Sequence, residues 1–502
     1  MRPLDVRVPL DATLALLPEI LLCTGAMVVL LLNAWRHRGA EDSRLAGWVA
    51  FWSLLPSAAA TAWLWASGAH AAGTPFMVAV DGFRFASLSV ILIATAATIL
   101  LSLGYLERER LLAPEYYALV LFAAAGMMFL AGAEDLIVLF LGLEVMSIAV
   151  YVLAGFNRGS VFSAEAALKY FLIGAFASAF LLYGIALVWG ATGATGLSEI
   201  GQRLPGPELP LLGALGLGLL LIGLGFKVAA VPFHMWAPDV YDGSPTPVTG
   251  FMATGVKAAG FLALARLLAE AFPHTAAGWQ PAIAGLAIAS MLLGNLVALA
   301  QRSLKRMLAY SSIAHAGYLL CALWPGTQLG LSATLIYLAG YVLTSLAAFG
   351  ILAVLGRGGE RDVSLDSIAG LARRRPWLAL ALSICMLSLL GFPGTLGFVG
   401  KWAILAGLVQ QRQLVLSVVL VVTTLISAGY YLPVVMAAYM REPVAGASHE
   451  AAALSRPALV TTALAVGLVL LLGILPGGAL GSALATARTV VQDASAPGYG
   501  GR

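Results

Sequence analysis

Charge is scarce in this chain. Only 28 lysines and arginines and 24 aspartates and glutamates occur in 502 residues, so one residue in ten is charged, against about a quarter in an ordinary soluble domain. With hydrophobic residues at 61%, a water-soluble globular fold is excluded. The net charge of +4 is small, and no basic run lies beside stacking aromatics, so nothing points to nucleic acid. Cysteine is nearly absent. Cys23, Cys321 and Cys385 stand alone in apolar runs, without metal-ligand spacing or a disulfide framework, and read as small buried hydrophobes. There is no glycine-rich phosphate loop after a strand, no cysteine cluster for iron–sulfur and no histidine pair at haem-ligand spacing in one helix, so the chain is expected to carry no redox centre. Lysine is the scarcest charge. There are five, Lys169, Lys227, Lys257, Lys305 and Lys401, all inside or at the edge of long apolar runs. A lysine in hydrocarbon costs roughly 2.5–3.5 kcal/mol on insertion scales. It is also the basic side chain that can give up its proton when buried. Several such amines in one membrane protein suggest a route for protons.

A spanning helix needs about 20 apolar residues. Runs of that size begin near Thr13, Leu45, Phe85, Tyr116, Asp135, Ser163, Leu209, Pro247, Gln280, Lys305, Gln328, Trp377, Leu414 and Pro457, which predicts an all-α polytopic membrane protein of about 14 transmembrane helices. The first run, about Thr13 to Leu32, is too long for a signal-peptide core and has no small-residue cleavage site after it, so it reads as a retained helix. The short connections leave one transmembrane domain over residues 1–502. Alternate loops carry Arg36, Arg38, Arg44, Arg108, Arg110, Arg158, Arg302, Arg306, Arg357, Arg361, Arg373, Arg374, Arg375, Arg441 and Arg456. The opposite set, with the termini, carries only Arg2, Arg7, Arg84, Arg203, Arg412, Arg488 and Arg502. The arginine-rich set should face the cytoplasm, putting both termini on the opposite side, which is the periplasm if the membrane is a bacterial inner membrane.

Two apolar segments are interrupted. One reads GFKVAAVPFHMWAPDVYDGSPTPVTG around Pro232, the other LSLLGFPGTLGFVGKW around Pro393. Each break frees backbone groups that lipid cannot satisfy, and paired broken helices in two halves point to a transporter built from repeats. Packing kinks are the plainer alternative. The two prolines are 161 residues apart, the offset that carries Glu144 onto Lys305.

Charged and imidazole groups within the runs are the candidate site. Glu144 lies mid-run in LIVLFLGLEVMSIAVYVLAG and needs a cationic partner, for which Lys227 is the best candidate; a static pair fixing helix packing is the alternative. Glu165 and Lys169 are four apart on one helix face, acid first, the favoured order, and the interface alone can account for them. Lys227 precedes the first break and His234 follows it, as a candidate relay or a plain hydrogen-bonding residue. Lys257 is flanked by Gly255 and Gly260. Lys305 begins QRSLKRMLAYSSIAHAGYLL beside Arg302 and Arg306, so it reads either as a proton carrier or as a topology signal. His315 lies roughly 15 Å deeper along the helix, with Ser311 and Ser312 between. Lys401 follows the second break, with no carboxylate near it in sequence. Together these groups predict a lateral hydrophilic axis from Glu144 to Lys401.

The stretches EAALKYFLIGAFASAFLLYGIAL, KVAAVPFHMWAPDVYDGSPTPVTGFMATGVKAAGF, GNLVALAQRSLKRMLAYSSIAHAGYLL and MLSLLGFPGTLGFVGKW resemble the antiporter-like membrane subunits of respiratory complex I, the subunit N branch most closely, over roughly residues 80–440. The resemblance implies two inverted five-helix repeats (helices 4–8 and 9–13) and broken helices 7 and 12. The chain then divides into a three-helix segment (1–115), a first repeat (116–270), a second (279–441) and a last helix with tail (442–502). By motif, Glu144 takes the place of the helix-5 glutamate, Lys227 and Lys257 those of the helix-7 and helix-8 lysines, Lys305 with His315 the helix-10 pair, and Lys401 the helix-12 residue. The resemblance also implies a proton-translocating subunit of a proton-pumping NADH:quinone oxidoreductase. NADH, FMN, iron–sulfur clusters and quinone would be bound by other subunits, and none of these cofactors by this chain. Implied partners are the other membrane subunits, including neighbouring antiporter-like subunits and the lateral helix of subunit L, in the lipid bilayer. Gly394 departs from the family pattern, which often has a second proline there. A cation/proton antiporter subunit of Mrp type shares the fold, and a purely structural scaffold is a third reading.

Overall fold

In hydrocarbon a backbone must satisfy its own hydrogen bonds, so long apolar runs become helices. The computed structural model describes residues 10–36, 40–67, 77–356, 363–442 and 455–495. Among the described residues there are helices, connections and three isolated bridges, and no strand. Arg2, Arg7, Arg38, Arg357, Arg361 and Arg502, used above for orientation, lie outside the described residues.

All fourteen predicted runs fall on helix. We number them α1 (Leu17–Arg36), α2 (Ala40–Ala66), α3 (Gly82–Arg108), α4 (Glu115–Gly132), α5 (Leu136–Ala154) and α6 (Val161–Thr192). The broken α7 comprises Leu211–Lys227 and Ala237–Gly243, and α8 is Thr246–Ala271. They continue as α9 (Ala276–Ala298), α10 (Leu304–Leu323), α11 (Gln328–Leu355), the broken α12 (Pro376–Leu390 and Leu396–Gln410), α13 (Leu414–Met440) and α14 (Arg456–Ile474). Eleven of these helices are long and apolar enough to cross a membrane, and the halves Leu211–Lys227, Pro376–Leu390 and Leu396–Gln410 are shorter apolar helices. α10, with its two basic residues at the start, falls outside both groups. A further helix, α15 (Gly477–Ser495), occupies what the sequence suggested was only a tail. It packs on α3 and α11, and Gln328 Nε2 donates to its Leu484 carbonyl at 3.0 Å.

Local chemistry sets the helix ends. Asp81, Asp135, Ser160, Ser303, Thr327 and Thr395 each accept a backbone N–H in the first turn of the helix that follows, supplying the orphan donors there. Both breaks are closed by protein groups. At the first, Val231 N donates to Ser290 Oγ at 2.9 Å and Trp236 Nε1 to the Phe226 carbonyl at 2.9 Å. At the second, Gly391 (φ +90°) and Gly394 (φ +88°) take left-handed conformations. Proline is locked near φ −65°, so this chain's departure at Gly394 gives the turn its shape.

Glycines bring two helix pairs into backbone contact. A Cβ on Gly126 of α4 would lie 2.4 Å from Met146 N, and one on Gly142 of α5 2.5 Å from Leu130 N. In α9 and α10 the corresponding approaches are Gly294 to Ala314 N at 2.5 Å and Gly317 to Met291 N at 2.7 Å. The first crossing centres on Glu144 and the second on His315. The 161-residue offset that pairs Glu144 with Lys305 is therefore not the register in which these helices pack.

Candidate functional site

α8 is buried along its length and twice loosens into π-helix, over Met252–Val256 and Leu267–Ala271. Such turns recur at functional positions. Here Lys257 follows the first and Arg266 precedes the second. Both are 1% exposed, and their surroundings differ in kind.

Lys257 Nζ donates to the Ser312 carbonyl at 2.7 Å and to Ser312 Oγ. Three residues on, α10 presents His315, both of whose ring nitrogens meet tyrosines: Nδ1 lies 2.6 Å from Tyr337 Oη and Nε2 3.1 Å from Tyr431 Oη. Tyr431 also bonds Ser311. A neutral imidazole has one donor and one acceptor nitrogen, so one tyrosine donates to it and the other accepts. A cavity of about 10 Å³, lined by His315, Tyr337, Tyr341, Thr344 and Ser388, opens beside the ring; that is on the scale of a single water. Lys401 Nζ donates at 2.9 Å to the Leu390 carbonyl, freed by the second break, and sits 4.6 Å from the Tyr318 ring centroid.

Lys227 ends the first half of α7. Its amine donates to Tyr151 Oη at 3.3 Å and lies 4.9, 5.1 and 5.3 Å from the ring centroids of Tyr151, Tyr170 and Phe226, a cation–π cage. The expected contact with Glu144 is not made. Glu144 accepts from Ser178 Oγ of α6 and acts on the amine only through space. The reason is the direction it faces: Glu144 is only half-buried, on an open apolar face with Leu141, Val145 and Ile148. Tyr151, two turns along the same helix, stands at the amine instead. Gly174 makes room for it, since a Cβ there would fall 2.0 Å from the tyrosine hydroxyl.

Lys305 is 1% exposed and donates to the Ser244 carbonyl at 2.8 Å, at the end of α7. Its reading as a surface topology signal is corrected, because the side chain turns inward while Arg302 is exposed and Arg306 pairs with Asp239 at 2.9 Å. Lys169 does meet Glu165, at 2.7 Å, and also Asp239 at 2.8 Å, with its side chain 40% exposed. That makes a wet fastener between α6, α7 and α10. His234 is half-buried in the first break, and its Nδ1 makes no hydrogen bond among the described residues.

Lys227, Lys257, His315 and Lys401 are thus brought into one buried region, Glu144 marks its open edge, Lys305 approaches from the arginine-rich side, and Lys169 and His234 stand apart. The residues missed in sequence are the neutral partners, Tyr151, Ser178, Tyr337 and Tyr431; tyrosines inside otherwise apolar runs were the available signal. Arg84, counted above as a loop arginine, is fully buried and paired with Glu19 at 2.8 Å. Removing it from the loop count strengthens the arginine asymmetry. The three cysteines are free, and Cys321 and Cys385 are buried as expected.

The family model described as NADH:quinone oxidoreductase/Mrp antiporter, TM, matches residues 133–427. A relative from Gemmatimonas aurantiaca, the NADH-quinone oxidoreductase subunit N, is 48% identical over 439 residues, covering 85% of this chain and 84% of the relative. Among solved structures, a chain of respiratory complex I from Thermus thermophilus with bound aureothin is 38% identical with a TM-score of 0.78, covering 92% of this chain and 98% of that one. A chain of the Mrp complex from Dietzia has a TM-score of 0.83 at 21% identity, over 97% of this chain and all of that one. That last likeness speaks to the fold alone. The higher TM-score does not outweigh the sequence identity, because the fold is common to both kinds of complex.

Proposed function

The chain belongs to the NADH:quinone oxidoreductase/Mrp antiporter family of membrane subunits, and from that premise we propose how its residues carry protons within a proton-pumping NADH:quinone oxidoreductase. The observation that carries the reading is the company of the buried amines. Lys227, Lys257 and Lys401 are at most 6% exposed and bond to a phenol, a serine and a main-chain carbonyl. Hydroxyls can pass a proton and carbonyls can hold one near. Neither fixes the amine in its charged form as a carboxylate would.

In the proposed sequence the driving change arrives at the open face that carries Glu144, where a neighbouring membrane subunit packs. When Glu144 swings toward Lys227, the caged amine is held protonated; when it returns to Ser178, the amine releases its proton through Tyr151 and onward to Lys257. Ser312, His315 and its tyrosines then connect Lys257 with Lys401. Lys305 feeds the line from the arginine-rich, cytoplasmic side, and both termini are periplasmic. Ten of the fourteen helices form two inverted repeats, α4–α8 and α9–α13. NADH, FMN, iron–sulfur clusters and quinone are held by other subunits, the lateral helix of subunit L among the membrane partners. Lys169 and His234 stand outside the line.

The test is the proton-to-electron ratio of the whole complex in sealed vesicles. Lys227→Ala should lower the ratio while leaving the complex assembled. A wild-type ratio in that variant, or in Glu144→Ala, would end the proposal. The Mrp-type reading is separated from it by mass spectrometry of the gently solubilised assembly, which should find quinone-reductase partners.

A further inference from the structure

A second buried polar region lies at the opposite end of α8 from the Lys305 side. Arg84 donates through Nη2 to Glu19 Oε1 at 2.8 Å and to the Ala15 carbonyl at 2.9 Å, and through Nη1 to the Ala79 carbonyl at 2.7 Å. Arg266 donates through Nη2 to Asp81 Oδ2 at 2.7 Å and Oδ1 at 2.9 Å, and through Nη1 to Glu270. Asp81 Oδ1 also accepts the Arg84 backbone N–H at 2.6 Å. Glu134, half-buried in the α4–α5 connection, is within electrostatic reach of Arg266 and Glu270. α15 packs on α3 and the end of α8 and covers the region, with Arg488 pointing outward to solvent. Asp135, next to Glu134, is committed to Ile137 N and Thr195, and Cys23 lies one turn from Glu19.

The charges do not balance. Among the described residues, three buried carboxyl groups (Glu19, Asp81, Glu270) face two guanidiniums, which stay protonated in proteins. Fully ionised, the cluster would hold one uncompensated negative charge, and a buried unpaired charge is among the most costly things a protein can hold. A second observation points the same way: Glu19 Oε2 is buried and meets no hydrogen-bond donor among the described residues, so nothing there supports it as an anionic oxygen. A metal ion does not fit, because the carboxylates converge on the guanidiniums, and no three acidic, histidine or cysteine side chains among the described residues gather as metal ligands do.

We propose that the Glu19–Arg84–Asp81–Arg266–Glu270 cluster is a second proton-binding site, which holds an exchangeable proton on its surplus carboxyl and meets the aqueous side at Glu134. It stands independently of the lysine line. The test is infrared spectroscopy of the intact complex carrying Glu19→Gln, Glu134→Gln or Glu270→Gln. Glutamine copies a neutral acid, so at least one variant should assemble at wild-type yield and lose one protonated-carboxyl C=O band, a band that shifts to lower frequency in D2O. Asp81→Asn removes the anion shared by both arginines and should lower the yield of assembled complex. Assembly of all three glutamine variants without loss of a band would overturn the proposal. So would failure of all three to assemble, which would mean that every carboxyl is required as an anion.

Discussion

α8 buries two cations about nine residues apart and treats them in opposite ways. Among the described residues Lys257 hydrogen-bonds Ser312, whereas Arg266 is gripped by Asp81 and Glu270. The same division holds beyond the helix: Lys227 and Lys401 have neutral partners, while Arg84 has Glu19. Burial is equal in the two regions, so it cannot explain the difference. The ability to change charge can. Arginine keeps its proton, and a permanent buried charge needs a counter-charge. Lysine can give its proton up, so a hydroxyl or carbonyl suffices. On the proposed reading, partner type thus separates a region where charge comes and goes from one where cations are fixed and only the carboxyls can vary.

The largest effect should come from crossing that division. Lys257→Arg keeps the positive charge but makes it permanent, opposite a serine. If the amine matters as a cation, pumping survives; if it matters as a proton carrier, coupled turnover should fall by about a hundredfold, the scale of losing a proton-transfer group. Proton uptake by vesicles containing the complex would decide it, with Lys257→Met as the reference for a lost amine. Arginine and methionine variants that fail alike would sharpen the comparison, and a functional arginine variant would break it.

A middle-sized effect is expected where no charge is touched. Gly174→Ala places a methyl 2.0 Å from the present position of the Tyr151 hydroxyl. The tyrosine must move off the Lys227 amine, at about 1–3 kcal/mol for overpacking. Complex yield should remain, and the proton-to-electron ratio should fall by less than in Lys227→Ala. An unchanged ratio would mean that the phenol only packs against the amine and passes nothing.

What was legible in the sequence follows from what hydropathy and residue type encode. Helices α1 to α14, the two breaks and the burial of Lys227, Lys257 and Lys401 could be read because run length, proline and glycine act locally. α15 was not legible, since it is short of the apolar content that marks a span. The partners were not legible either. Tyr151 and Lys227 are 76 positions apart, and Asp81 and Arg266 are 185 apart, so only packing brings them together. Glu144 shows the limit best. Its helix was evident, but the rotation that turns it toward an open face and away from Lys227 depends on the glycine contact between α4 and α5. Arg266 stood in full view in the α8 run and carried no sign of its counter-ions.

The smallest effect should be at Lys169, which tests where the lysine division ends. Unlike Lys227, Lys257 and Lys401 it has carboxylate partners, Glu165 and Asp239, and unlike the buried arginines it is 40% exposed. Exposed pairs contribute at most about 1 kcal/mol and are screened by salt. Lys169→Gln should therefore lower the thermal midpoint of the complex slightly, with the difference shrinking as ionic strength rises, and should leave the proton-to-electron ratio alone. A fall in that ratio would mean that a solvent-exposed, carboxylate-paired lysine also carries protons. Neutral company could then no longer serve as the mark of a carrier, and the line would have to be extended to the Asp239–Arg306 pair at the foot of α10.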